Sequence, residues 1–396
     1  MIRAYWALAY CVIGLLFLVP LTSCHTSKPL IVKPIPGSER NDLINQHLTG
    51  KRIGLIVNQS SLVGGQHVID AFLQNGLNVT KLFAVEHGIR GTHDAGATIK
   101  NGRDQDTSLP IISIYGKNKA PSKSNLEDLD IMVFDLQDVG VRFFTYLSSL
   151  HFIMESCALY DTPLVVLDRP NPNISYIDGP ILEPEFRSFV GMHPIPLMHG
   201  MTLGELAQMI NGEAWLSGGV KCDLTVIPVQ NYTRSTSYIL PVKPSPNLPN
   251  QQAIKLYPSL ALFEATNISV GRGTEFPFQV LGGMHREYGN FTFVPKPTLG
   301  SALNPKLNGQ TLYGEDLRHA QITGFQIELF LKWYDGAQKL NANFLTRADW
   351  LDKLMGTSTF RKQIEANFSA DDIRASWAEE LKTFKKRRAS YLLYKE

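Results

Sequence analysis

Glu86 is the residue of this sequence best suited to acid–base chemistry. It follows the apolar run Leu82–Val85 directly and precedes His87 and Gly88. A glycine at this point lets the chain turn sharply and leaves the carboxyl at the end of the strand. Apolar surroundings favour the neutral form of a carboxyl, which a general acid needs at neutral pH. We therefore expect Glu86, with His87 beside it, to be catalytic, and helix capping is the structural alternative for Glu86.

Glu264 is a second carboxyl at the end of an apolar run. The loop Gly271-Arg272-Gly273-Thr274 follows it, and its two glycines leave Arg272 free to point at a ligand. Glu264 is either a second catalytic carboxylate or the ion-pair partner of Arg272. Both interpretations remain open from the sequence.

Two acid–arginine pairs pose a similar choice. Arg142 lies one helical turn after Asp138, and Arg169 follows Asp168 directly. Such pairs are often structural ion pairs, but an arginine in a site can also bind the carboxylate of an anionic sugar through two parallel hydrogen bonds. The sequence leaves both possibilities for Arg142 and Arg169.

Motifs for other chemistries are absent from the sequence. There is no G-x-S-x-G of a serine hydrolase and no G-x-G-x-x-G after the first strand, so no dinucleotide cofactor is expected. The histidines lack H-x-x-x-H and H-E-x-x-H spacing. His87 and His93, followed by Asp94, could still bind a metal together with distant partners. We expect no cofactor and no metal, and keep a metal site as the alternative.

Five apolar runs must position the candidate residues. Each ends in a polar residue, and helix-length spacers separate most of them, which predicts a parallel sheet buried on both faces. Ligands of open α/β sheets bind outside the carboxyl ends of the strands, so the polar residues predict a site at that edge. The runs are Leu55–Val57 into Asn58, Leu82–Val85 into Glu86, Ile111–Ile114 into Tyr115, Ile131–Phe134 into Asp135 and Leu164–Leu167 into Asp168.

The chain length of 396 residues indicates about two domains. The turn-forming segment after Asp168 places the boundary at Pro170, which gives a Rossmann-like domain over 41–170 and a second α/β domain with C-terminal helices over 171–396. Thr202 and Glu205 form a capping box, so Glu205 is discounted as catalytic. Leu224–Val229 is predicted as a strand of the second domain. The fold class is therefore α/β.

The composition excludes some partners. Hydrophobic residues make up 44% of the chain, and 38 basic and 36 acidic residues give a formal net charge of +2. A chain with so little net charge has no strong positive electrostatic field to attract the phosphate backbone of a nucleic acid. We expect no nucleic-acid partner.

The N-terminus predicts export. Arg3 precedes the apolar stretch Ala7–Leu21, which has the length of a signal-peptide core. Leu21-Thr22-Ser23-Cys24 resembles a bacterial lipobox, in which Cys24 becomes the lipidated first residue. Residues 1–24 are thus predicted to be a lipoprotein signal peptide. A plain signal peptide or an uncleaved anchor is the alternative.

A tether is predicted behind the lipobox. Residues 25–40 contain Pro29, Pro34 and Pro36, which are typical of a linker between a membrane and a domain. The expected location is the periplasm, with the protein held to a membrane through Cys24. Cys157 and Cys222 either form a disulfide there or stay as buried thiols.

Six sequence blocks occur in order between about Gly54 and Met284: Glu86-His87-Gly88, Asp138-Val139-Gly140-Val141-Arg142-Phe143-Phe144-Thr145-Tyr146, Asp168-Arg169-Pro170-Asn171-Pro172, His199-Gly200-Met201-Thr202, Pro244-Ser245-Pro246-Asn247 and Gly271-Arg272-Gly273-Thr274. Taken together, they resemble the NamZ-type exo-β-N-acetylmuramidases.

The resemblance implies a peptidoglycan-recycling glycoside hydrolase that removes N-acetylmuramic acid from non-reducing ends of muropeptides or glycan fragments. It implies a cleft between the two domains and places Glu86 at the position of the catalytic glutamate. The expected substrate-binding residues are the polar strand ends and the polar residues of the blocks: Asn58, Tyr115, Asp135, Asp138, Arg142, Tyr146, Arg169, Asn171, His199, Ser245, Asn247 and Arg272.

Two other functions remain open at this stage. A lipid-anchored two-domain α/β protein with a polar cleft also describes a periplasmic solute-binding lipoprotein, which needs no poised acid. A metal-dependent hydrolase is the third possibility. Retention and inversion of the anomeric configuration are both compatible with the sequence.

Overall fold

The apolar runs form strands in the computed structural model, which describes residues 33–90 and 99–395. Predictions on residues 1–32, including Cys24, and on His93 and Asp94 lie outside the described residues. The strands are β1 (Ile53–Val57), β2 (Leu62–Val63), β3 (Gln66–His67), β4 (Val79–Ala84), β5 (Gly102–Arg103), β6 (Pro110–Ser113), β7 (Ile131–Asp135), β8 (Leu164–Leu167), β9 (Asp178–Ile181), β10 (Pro196–Met198), β11 (Leu224–Ile227), β12 (Val280–Gly283), β13 (Phe291–Phe293) and β14 (Leu312–Asp316).

Helices alternate with the strands of the first half and dominate the end of the chain. They are α1 (Asn41–Leu48), α2 (Val68–Gln74), α3 (Lys123–Leu126), α4 (Tyr146–Leu159), α5 (Leu203–Gly212), α6 (Gln251–Leu260), α7 (Ile327–Lys339), α8 (Ala348–Met355), α9 (Thr359–Glu365), α10 (Ala370–Ser376) and α11 (Ala378–Arg388). Within the described ranges, no helix has both the length and the apolar character needed to cross a membrane.

One seven-stranded sheet carries the candidate site. Its strand order is β11-β8-β7-β1-β4-β6-β5. All strands but β5 run parallel. Every residue of β1, β7 and β8 is buried, as expected for strands covered on both faces. The predicted α/β fold with its parallel sheet is confirmed, and the polar strand ends lie along one edge.

The sheet extends past the predicted domain boundary at Pro170. Strand β11 pairs in parallel with β8, with Leu224 opposite Leu164 and Ile227 opposite Leu167. The run was predicted as a strand, but of the second domain. Its partner lies 60 residues earlier in the chain, and a local pattern of apolar residues carries no signal for such a pairing.

The fold also begins earlier than the predicted tether end at residue 40. Ile35 exchanges two backbone hydrogen bonds with Gln230, and the amide of Gly37 donates to the carbonyl of Asp168. The hydroxyl of buried Ser38 donates to the carbonyl of Leu62. Residues 34–38 therefore belong to the folded unit, which spans residues 33–396.

The C-terminal part contributes a smaller sheet and a helical layer. Strand β14 lies between β12 and β13, antiparallel to both. The C-terminal helices bury aromatic side chains, with Trp333 of α7 3% and Phe384 of α11 1% exposed. The capping box of Thr202 and Glu205 at the start of α5 is confirmed. The hydrophobic core lies on both faces of the large sheet, and these helices pack against part of it.

Candidate active site

A cavity of about 320 Å³ lies at the carboxyl edge of the large sheet. Its wall combines residues that follow β4, β6 and β7 with residues of the C-terminal part, so it lies where the predicted cleft was expected. The lining residues are Glu86, His87, Tyr115, Phe143, Phe144, Thr145, Tyr146, Phe189, Val190, Ser245, Asn247, Leu248, Tyr257, Ala261, Glu264, Arg272, Phe278, Trp350 and Leu354.

The turn after β4 brings Glu86 into this cavity. Gly88 has a φ of 74°, as its predicted role in a sharp turn requires. His87 has a φ of 70°, which is uncommon for a residue other than glycine and is typical of functional sites. The buried ring of His87 lies with Nε2 3.2 Å from the Ser245 hydroxyl. This turn fixes the direction in which the Glu86 side chain leaves the sheet.

Two hydroxyl groups hold the carboxylate of Glu86. Tyr115 donates to Oε1 at 2.8 Å, and Thr145 donates to Oε2 at 2.7 Å. Burial, and next the charge of Glu86, raise the pKa of Tyr115, which keeps its hydroxyl protonated and able to donate. The carboxyl group is therefore oriented on both oxygens before any ligand arrives.

Aromatic rings form much of the remaining wall. Tyr257 packs edge-to-face against Phe143 at 5.3 Å and Phe278 at 5.0 Å between ring centroids. Tyr146, from the first turn of α4, accepts a 2.7 Å hydrogen bond from Asn58 Nδ2. Asn58 itself is fully buried and is not in the cavity wall. Asn58 therefore supports Tyr146 from behind the cavity wall, and its position does not support the expected contact with substrate.

Glu264 and Arg272 form an ion pair in the cavity wall. Arg272 donates from Nε to Glu264 Oε1 at 2.7 Å, and its guanidinium lies over the ring of Phe278 at 4.9 Å. Each side chain keeps 26% of its surface exposed. Glu264 is thus an ion-pair partner that also faces the cavity, and its catalytic role stays a prediction.

The structure corrects the interpretation of Arg142 as a ligand for a sugar carboxylate. Arg142 is 1% exposed, and its guanidinium donates to the carbonyls of Pro180, Ile195, Leu354 and Met355. Leu354 and Met355 end helix α8, where a cation is favourable because backbone carbonyls point outward. Burial lowers the pKa of Arg142 to about 9. Arg142 therefore holds helix α8 against the sheet.

Asp135 and Arg169 are also withdrawn from the cavity. They form a buried ion pair, with Arg169 Nε 2.5 Å from Oδ1 and Nη2 2.8 Å from Oδ2 of Asp135. The same guanidinium donates to Ser38 and to the carbonyl of Leu62. Nε and Nη2 of Arg169 thus bond within the fold, and neither residue lines the cavity, so the expected contact of either residue with substrate is not supported by its position.

Asp138, Asn171 and His199 are buried and do not line the cavity. Asp138 accepts a hydrogen bond from the Gly140 amide at 2.6 Å, and burial raises its pKa to about 7. His199 lies 3.9 Å from Asp138, and burial lowers its pKa to about 3. Asn171 donates to the carbonyl of Met201 at 2.9 Å. These contacts hold neighbouring segments of the fold together, and the positions of the three residues do not support the substrate-binding roles expected for them.

Ser245 and Asn247 line the cavity as expected. Ser245 contacts His87, and Asn247 donates from Nδ2 to the carbonyl of Ser301 at 2.8 Å. Both are buried, at 7% and 2% exposure. The Pro-rich segment after β11 therefore forms part of the site, and the roles of these two residues toward a substrate stay predictions.

Sequence reasoning missed several wall residues, among them Thr145, Phe189 and Trp350. Thr145 lies inside a motif block, and its signal was a hydroxyl group flanked by the aromatic residues Phe144 and Tyr146. Phe189 packs edge-to-face against Tyr115 at 6.1 Å and had no signal. Trp350 belongs to amphipathic helix α8, where an aromatic residue is usually part of the core.

Comparisons with known proteins cover nearly the whole folded unit. Residues 53–252 match the family model of the N-terminal part of exo-β-N-acetylmuramidase NamZ, and residues 255–394 match that of its C-terminal part. A relative from Bacillus subtilis strain 168, the peptidoglycan β-N-acetylmuramidase NamZ, is 37% identical over 88% of this chain and 88% of its own.

Two solved structures from Bacteroides fragilis NCTC 9343 share the fold. Both are described as DUF1343 family proteins. One is 40% identical with a TM-score of 0.82, and the other is 26% identical with a TM-score of 0.77. Each match covers 92% of this chain and all of the other chain. The order of the six blocks, the fold and these matches agree, and the chain belongs to the NamZ family of exo-β-N-acetylmuramidases.

Proposed function

We propose that this protein is an exo-acting glycoside hydrolase that releases N-acetylmuramic acid from the non-reducing end of peptidoglycan fragments. The observation that carries the proposal is the carboxyl of Glu86, held by Tyr115 and Thr145 in the wall of a cavity. Family membership and the name of the B. subtilis relative support the choice of sugar.

The geometry suits general acid–base catalysis by Glu86. The cavity, at about 320 Å³, is at the small end of the range of ~300–1,000 Å³ for ligand sites, which fits one terminal sugar better than a run of sugars. Glu86 gives its proton to the glycosidic oxygen as the bond to the leaving sugar breaks. A carboxylate must also accept a proton from the attacking water. Glu264 faces the same cavity and is the second carboxyl available for this step.

A chromogenic β-N-acetylmuramide tests this function. The purified protein should release the chromophore at the same rate with and without a chelator. No release would favour a solute-binding lipoprotein. Release that stops on chelation and returns with added metal would favour the metal-dependent hydrolase, whose candidate ligands His93 and Asp94 lie outside the described residues.

Arg272 is the proposed ligand of the lactyl carboxylate that distinguishes muramic acid from glucosamine. Its Nε is bonded to Glu264, and the guanidinium lines the cavity above Phe278. A hydrogen bond to a charged group contributes ~1.5–3 kcal/mol, or about 10–150-fold in rate. Arg272→Met should therefore lower the ratio of kcat/KM for a β-muramide over a β-glucosaminide by about 10–150-fold.

Arg318→Met is the matched control for this variant. Arg318 also pairs with an acid, Asp316 at 2.7 Å, and also lies over a phenylalanine, Phe276 at 4.5 Å, but it is not in the cavity wall. The control should leave the ratio unchanged. An unchanged ratio in Arg272→Met as well would rule out the proposed contact.

The lipid anchor at Cys24 remains a proposal and places the protein on a membrane facing the bacterial periplasm. Several acyl chains hold a protein more firmly than one, so the protein should stay with membranes through a salt wash. Cys24→Ala should release it in soluble, active form, because the residues of the cavity wall lie between Glu86 and Leu354, far along the chain from Cys24. Cys157→Ala is the control, since Cys157 is buried and cannot be acylated in the folded protein. Wild-type protein in the soluble fraction would contradict the anchor.

A further inference from the structure

A second cavity of about 510 Å³ adjoins the active-site cavity. The two share three wall residues, Glu264, Arg272 and Trp350. A ligand that fills the first cavity and extends past these residues enters the second. The second cavity therefore lies on a path that the rest of a bound glycan can follow.

The wall of the second cavity combines apolar surface with positive charge. Its apolar residues are Ile268, Val270, Ala302, Leu303 and Pro305. Its charged residues are Glu264, Arg272, Lys306 and Arg347, so the wall carries two net positive charges. A sugar ring presents C–H groups to an apolar wall, and an anionic substituent suits the excess of positive charge.

Arg347 is the cation of this wall that is available to a ligand. Lys306 is not available to a ligand, because its ammonium group already donates to backbone carbonyls, those of Phe263, Glu264, Thr266 and Ile268. Arg272 is the proposed ligand of the terminal sugar in the first cavity, and its Nε is bonded to Glu264. Arg347 is exposed and lies over the ring of Trp350 at 4.9 Å. Among residues 33–90 and 99–395 it forms no ion pair.

We propose that the second cavity binds the leaving part of the glycan, and that Arg347 contacts the lactyl carboxylate of the muramic acid in that part. The inference rests on the proposed function. A peptidoglycan strand alternates N-acetylglucosamine and N-acetylmuramic acid, so when the terminal muramic acid fills the first cavity, the second sugar of the leaving part carries a carboxylate. A disaccharide substrate lacks this group.

A comparison of substrates of different length tests the inference. In the wild type, kcat/KM should be higher for the tetrasaccharide MurNAc-GlcNAc-MurNAc-GlcNAc than for MurNAc-GlcNAc. Arg347→Met should lower the ratio of kcat/KM between tetrasaccharide and disaccharide about tenfold, the value of one modest hydrogen bond to a charged group. Equal losses on both substrates, or no loss on either, would overturn the inference.

Direct binding gives a second measurement that does not depend on turnover. The fragment GlcNAc-MurNAc should bind the wild type more tightly than the same fragment with its lactyl carboxyl converted to an amide, and Arg347→Met should abolish the difference. Asn304→Trp, at an exposed position of the cavity wall, should weaken binding of both fragments. If the wild type binds the two fragments equally, the proposed contact between Arg347 and the lactyl carboxylate does not exist. A wild type that hydrolyses no muramide at all would instead remove the proposed function.

Discussion

Replacing Glu86 with glutamine is expected to lower kcat for muramide hydrolysis by about 10²–10⁴-fold, the usual contribution of general acid–base catalysis. Glutamine has nearly the same volume. Its carbonyl oxygen can accept one of the two hydrogen bonds that Tyr115 and Thr145 donate to Glu86 at 2.8 and 2.7 Å, and its amide group can donate to the oxygen of the other hydroxyl. It cannot supply a proton to the glycosidic oxygen. The fold and the binding of substrate should therefore be kept, as measured by thermal unfolding and by the affinity of the inactive variant for the glycan.

Glu213→Gln is a matched control for this variant. Glu213 also accepts a hydrogen bond from a tyrosine, Tyr391 at 2.9 Å, but it lies outside the cavity wall. The same chemical change at this position should leave kcat unchanged. Retention of more than about a tenth of wild-type kcat by Glu86→Gln would be too much for the loss of a catalytic acid, and the assignment would fail.

Arg169→Met is expected to lower the free energy of unfolding by about 3–5 kcal/mol, the usual cost of breaking a buried ion pair by removal of one partner. Arg169 and Asp135 are joined by two hydrogen bonds of 2.5 and 2.8 Å, and their side chains are 4% and 0% exposed. Methionine leaves the charge of Asp135 in the interior without its partner. Urea denaturation at neutral pH measures the loss.

The pair Arg52 and Asp130 provides the control on the surface. Arg52 makes hydrogen bonds of 3.1 and 2.8 Å to the two carboxylate oxygens, but its side chain is 48% exposed. Water replaces these hydrogen bonds when the pair is broken, so Arg52→Met should cost much less stability. Equal losses in the two variants would show that burial does not govern the strength of the Arg169 pair.

Strands β1, β7 and β8 of the parallel sheet could be predicted from the sequence because all their residues are buried. Leu164–Leu167, for example, has no polar position to break the run. The domain boundary could not, because β11 joins β8 through a contact between segments that are distant in the chain. The predicted tether extends too far along the chain. Pro34 and Pro36 belong to the fold, because their neighbours Ile35 and Gly37 make backbone hydrogen bonds to it.

The sequence predicted the edge of the sheet at which the cavity lies, but not the position of each side chain. Glu86 could be placed because a strand end and a glycine turn determine where its side chain emerges. Arg142 could not, since its carbonyl partners at residues 180, 195, 354 and 355 come from distant segments. A motif therefore indicated which segments approach the site, while the direction of each side chain depended on tertiary packing.

The products formed from a defined glycan test the central claim most directly. The tetrasaccharide MurNAc-GlcNAc-MurNAc-GlcNAc, labelled at its reducing end, should first give free N-acetylmuramic acid and a labelled trisaccharide by mass spectrometry. Glu86→Gln should give neither product. Release of a labelled disaccharide or monosaccharide as the first product, or no cleavage by the wild-type protein, would contradict an exo-acting muramidase.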